Sequence, residues 1–220
     1  MPTQIGARLV FENAKKFAAE QGYNVSQAVC TQSYVRSEVA MATTQTNYRL
    51  PVLANDTAAG NPFNTEFRLQ LQDVMVVNEI GIFLAAPSSS TDATYLLYTN
   101  ANAAVFSTSA GPASTLYNSY LNVSVNNQVV IPNWDIQRHY FVPFAQNGVL
   151  PFTGATVLPR DSNDGSQNGY YPTEPNFILN GAANIQAFIT LPAAMSTVVA
   201  NSRIVVIWRG IKLQNVTSVR

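Results

Sequence analysis

An all-β fold with one short N-terminal helix is predicted by three features of the sequence. Apolar residues recur at every second position from Thr46 onward, a tight asparagine turn joins two such runs, and strand and helix patterns nowhere alternate. Before that point, residues 7–21 carry the only helical period, with Leu9, Val10, Phe11, Ala14, Phe17 and Ala18 near one face and Gly22 as the stop. Glu12 precedes Lys16 by four residues, the favourable order for an ion pair on a helix. Such a helix either covers an open end of the β-core or docks on a neighbouring subunit, and Phe11 and Phe17 are its candidate contacts. The expected division is a helical arm over 1–22 and one β-sandwich over 23–220.

The strands follow in order. Tyr48, Leu50 and Val52 alternate as a half-buried strand does, and so do Phe67, Leu69 and Leu71. Residues 74–77 and 80–85 are denser apolar runs separated by Asn78 and Glu79, and 95–98 follows the turn-rich stretch 87–92. Leu121, Val123 and Val125 lead into Asn126-Asn127 and then Val129, Val130 and Ile131, a hairpin whose asparagines tolerate the positive φ of a primed turn. Pro143 marks 140–144 as an edge or bent strand. Residues 151–175 are dense in turn formers and read as a long loop, of the kind that carries contacts. Ile185, Ala187, Ile189 and Leu191 alternate again, and 203–208 (RIVVIW) reads as a strand buried on both faces, with Trp208 in the core. Eight to ten short strands joined by unequal loops, with helix confined to 7–21 and a turn near 195–200, fit two packed antiparallel sheets of jelly-roll type.

Composition narrows the function. Apolar residues make up 47% of the 220, enough for a core, but charged residues only 11%, against roughly 25% in an ordinary soluble domain. The formal charges cancel, and of the 12 basic residues three are lysines (Lys15, Lys16, Lys212) and nine are arginines. A neutral, lysine-poor surface repels copies of itself weakly and resembles the composition of interfaces. Cys30 stands alone, so no intrachain disulfide forms. No apolar run reaches the ~18 residues of a membrane span, and residues 1–4 lack the pattern of a signal peptide, so synthesis in a cytoplasm is expected.

Chemistry is sparse. His139 is the only histidine, and with Asp135 four residues before it invites a dyad; with no Gly-x-Ser-x-Gly elbow, a structural histidine is the better reading. One His and one Cys do not make a zinc set, and 161–165 (DSNDG) is only a partial calcium loop. Phosphate-cradling glycine motifs are absent and no basic stripe exists for nucleic acid, so no enzyme, cofactor, metal or nucleic-acid role is expected. The aromatic residues suit interfaces or a sugar-stacking platform, and Tyr170 and Tyr171 are the expected exposed pair.

The segments FRLQLQDVMVVNEIGIFLA (67–85), YLLYTNANAAVF (95–106) and LYNSYLNVSVNNQVVIPNWDIQRHYFVPFAQ (116–146) resemble structural proteins of bacteriophages, nearest to coat proteins of tailless icosahedral phages of Bacteroidetes-type hosts. The resemblance covers about half of the chain and implies no catalytic residue. It implies a jelly-roll capsid subunit of the virion, made in the host cytoplasm. Such a subunit assembles with copies of itself and leaves room for penton, spike or internal-membrane partners. The alternative is a receptor- or carbohydrate-binding β-sandwich of a phage spike, fibre or decoration protein, with its contacts at Tyr170 and Tyr171.

Overall fold

The computed structural model describes residues 4–56, 68–87, 95–141 and 169–218. The turn 88–92, the calcium-like loop 161–165 and most of the Pro143 stretch fall outside them, as does Phe67; of the strand expected there, Leu69 makes an isolated bridge to Leu53 and Leu71 sits exposed in a turn.

Two antiparallel sheets face each other. The first runs β2 (Val29–Ala40), β10 (Arg203–Gln214), β4 (Val74–Pro87), and on the far edge of β4 two strands share its length, β5 (Tyr95–Tyr98) and β8 (Tyr170–Asn180). The second runs β3 (Asn47–Leu50), β9 (Ile185–Thr190), β6 (Tyr120–Val125), β7 (Gln128–Asp135). A two-residue ladder joins β1 (Tyr23–Asn24) to β11 (Thr217–Ser218). The main pairings are nested: β2 with β10, β3 with β9, β4 with β8 and β6 with β7. The innermost pair is the predicted hairpin. Asn126 and Asn127 take φ of 50° and 65°, the two positive values a type I′ turn needs, and Asn126 exchanges hydrogen bonds with the backbone of Asn184.

Alternation explains what lies between the sheets. Tyr48 and Leu50, Leu121 and Val123, and Ile185, Ala187 and Ile189 point inward from the second sheet, all buried. Ile204, Val206 and Trp208 of β10 meet them from the first, while Val205, Ile207, Ile211 and Leu213 are buried on its outer face. The expected two-sided burial of this strand is observed. In β4 the inward set changes parity, from Met75 and Val77 to Ile80, Ile82, Leu84 and Ala86. The register shift between Val77 and Glu79 leaves Asn78 as an extra residue, and that bulge keeps both apolar runs, which form a single strand, facing the core. Opposite the bulge Gly210 is obligatory: a Cβ there would lie 1.9 Å from the carbonyl oxygen of Val76.

Helix α1 (Gln4–Glu20) lies along the outer face of its own sheet rather than over an open end. Ala14 and Ala18 are buried against Val74, Val76, Ile211 and Leu213, with Phe11 and Phe17 packed beside them.

Three expectations need correction. Helix is not confined to 7–21: α2 (Ala103–Phe106), α3 (Ala110–Ser114) and the 3₁₀ turns Ser107–Ser109, Thr115–Asn118 and Ile136–His139 lie between β5 and β8. Each is too short for a 3.6-residue period to register, and they are held by burying Phe106, Ala113, Leu116, Tyr117 and Ile136. Strand β2 falls before the expected start of strand structure at Thr46, because two of its buried positions are the polar Ser37 and Glu38. Finally, 170–180 is a strand and not the end of a loop; its prolines, Pro172 and Pro175, are tolerated because β8, among the described residues, is an edge paired to β4 alone.

Because the atom facing Gly210 is backbone and has nowhere to move, Gly210→Ala is expected to cost about 3 kcal/mol, the upper end for overpacking. The midpoint of urea unfolding measures it, and an unchanged midpoint would refute the bulged register.

Candidate functional site

The residues with the most chemistry gather at two places. At the first, the 3₁₀ turn Ile136–His139 follows β7, started by the Asp135 carboxylate, which accepts a hydrogen bond from the Gln137 N–H. Asp135 therefore caps the turn. His139, fully buried, has both ring nitrogens engaged elsewhere: the Trp134 indole N–H donates to Nε2 at 2.7 Å, and Nδ1 lies 2.7 Å from the carbonyl oxygen of Gly169. An indole only donates and a carbonyl only accepts, so the ring is neutral with its proton on Nδ1. Burial pushes the His139 pKa down to about 4; the Gly169 carbonyl opposes this, Arg138 adds to it, and Asp135 opposes it weakly. Tyr171 meets the imidazole edge-on at 5.3 Å, and the Arg138 guanidinium sits 4.6 Å above the Trp134 ring. Among the described residues the ring nitrogens are engaged by an indole and a backbone carbonyl, with no serine, threonine or cysteine bonded to them.

The second place is the outer face of the first sheet. Tyr170 lies over Gly81, where a Cβ would come within 2.6 Å of its ring, and packs edge-on to Phe83 at 5.3 Å. The Arg209 guanidinium stacks 3.4 Å above the same ring. Burial raises the Tyr170 pKa and Arg209 works against the rise. Beside it the Glu38 carboxylate is buried between Arg36 at 2.6 Å and Arg203 at 2.8 Å, and Arg203 also covers the Tyr95 ring at 3.6 Å. Glu38 is thus shared by Arg36 of its own strand and Arg203 of β10, the arrangement of a structural ion-pair network.

Tyr170 and Tyr171, predicted as a pair, are not brought together. Neighbours in a strand point to opposite faces, so Tyr170 lies half-buried on the outer face while Tyr171 turns toward His139 and keeps 38% of its surface exposed. Phe11 and Phe17 are half-buried under α1, and among the helix's described side chains the large apolar ones left exposed are Leu9 and Val10. Sequence reasoning missed the exposed apolar residues of the edges: Val29 and Tyr34 on β2, Leu96 on β5, and Val129 and Val130 on β7. For β7 the period misleads: a bulge leaves Val130 without a partner, so Val129, paired with Ser124, turns away from the buried face that holds Ile131, paired with Val123.

Among the described residues no three His, Cys, Asp or Glu side chains stand close enough to hold a metal, and no helix is long and apolar enough to cross a membrane. Comparison with known proteins found no matching family, no matching curated protein and no matching solved structure.

Between pH 6.5 and 4 the unfolded chain takes up a proton on His139 that the folded chain refuses, so stability is complete above this window and falls as pH drops through it. The expected loss is about 3 kcal/mol, at 1.36 kcal/mol per pKa unit. Unfolding free energies across this range, compared between the native chain and His139→Gln, measure it; equal slopes would contradict the assignment.

Proposed function

We propose that this chain is a virion structural protein, a jelly-roll capsid subunit whose function is to bind copies of itself. The observation that carries the reading is the nesting of the strands. With β1, β5 and β11 set aside, the eight remaining strands pair first with last, second with seventh, third with sixth and fourth with fifth. A long hairpin rolled into two facing sheets produces this order, and coat domains are a principal use of that architecture. Lectin domains share it, so the fold alone does not choose.

Two further features favour self-assembly. Charged residues are scarce and their formal charges cancel, and apolar side chains remain exposed on edge strands β2 and β7. Edges of this kind normally carry lysine, and these carry none. The receptor- or sugar-binding alternative loses its expected platform, because Tyr170 and Tyr171 face opposite ways. Copies of the chain in a shell would meet through repeated contacts, with penton or spike proteins as further partners and no basic arm for the genome.

Sedimentation velocity on the full chain is expected to show assemblies far larger than one subunit. Val129→Lys, placed on the β7 edge where the side chain is 58% exposed, is expected to shift the distribution toward single chains at an unchanged unfolding midpoint. A native chain that stays monomeric at high concentration would contradict the proposal.

A further inference from the structure

His139 connects parts of the fold that are distant in sequence. Its Nδ1–H reaches the Gly169 carbonyl, next to β8 of the first sheet, and its Nε2 receives the Trp134 indole from β7 of the second. The other bonds of this corner do not pass through the imidazole: Ile136 N–H donates to the Ser119 carbonyl, Phe141 N–H to the Thr99 carbonyl, and Tyr140 packs edge-on to Tyr117 at 5.1 Å. We propose that His139 is an acid-operated latch for Trp134, holding the indole and its stacked Arg138 in place while neutral and releasing them when protonated.

The chemistry is that of one acceptor becoming a donor. Protonation places an N–H on Nε2, so it faces the indole N–H donor-to-donor at a 2.7 Å separation that only a hydrogen bond sustains. The bond to Gly169 survives, because Nδ1 already carries its proton. Arg138 adds a second push, since its guanidinium lies over the indole and close to the new imidazolium. Among the described residues, the titratable and charged groups around the imidazole are Asp135 and Arg138 of its own turn and Tyr171 of β8. From β7 the neighbour is the uncharged Trp134, and β4 turns its Glu79 to the outer face against Arg209. The released pair lies at the end of edge strand β7, so acid changes the aromatic and cationic surface presented there.

The composition makes the test specific, because the chain has one histidine and two tryptophans, and Trp208 is fully buried with its N–H directed at Ser37 3.2 Å away. Nitrogen-15 spectra of the full-length protein from pH 8 to pH 3 follow the imidazole and both indoles. The expected result is an Nδ1–H imidazole at neutral pH and a Trp134 indole signal that moves with a midpoint near 4, while the Trp208 signal stays in place. In His139→Gln, whose amide can accept from the indole and donate to Gly169 without titrating, the Trp134 signal is expected to stay constant. An Nε2–H imidazole at neutral pH, a Trp134 signal that ignores acid in the native chain, or loss of both indole signals together would overturn the latch.

Discussion

Strand β10 is the element on which the rest of the structure depends. It is hydrogen-bonded along its whole length to β2 and almost as fully to β4, and it is buried on both faces. Its even residues Ile204, Val206 and Trp208 supply the inter-sheet core, and its odd residues Ile211 and Leu213 receive helix α1. The arginines that β10 carries are each matched by a neighbouring strand: Arg203 by Glu38 of β2, and Arg209 by Glu79 of β4 and the Tyr170 ring of β8. Its fixed register also sets the others. The Asn78 bulge in β4 is needed because the two apolar runs flanking it must both face inward beside an unbroken partner.

What the sequence revealed follows from how local each cause is. The hairpin at Asn126-Asn127 and the two-sided burial of residues 203–208 are written in adjacent residues, and both were legible. His139 was singled out by the sequence as the one histidine, beside Asp135. Its partners were not: Trp134 is close by, but Gly169 is 30 residues away, and nothing in the pattern of either announces the contact. Strand β2 was hidden for the same reason. Glu38 reads as a surface residue until β10 brings Arg203, 165 positions along the chain, to meet it. Strand β8 was disguised by prolines that only an edge position excuses, and the short helices between β5 and β6 by being shorter than the period that would reveal them.

The proposed role in assembly and the fold are linked by the edges. Among the described residues β2, β3, β7 and the β5–β8 pair bound the two sheets, and in a monomer such boundaries are usually guarded by charge. Here scarce charge is spent within the molecule, in the Glu38 and Asp73 ion pairs, and the edges keep valines and tyrosines outside. Edges that carry exposed apolar side chains and no lysine suit the proposed role, in which neighbouring copies cover them.

Electron microscopy of the concentrated native protein addresses that claim most directly. Closed particles of uniform diameter, built from the one chain, are what the account predicts. A field of isolated single subunits, under conditions where the protein is folded and concentrated, would contradict it.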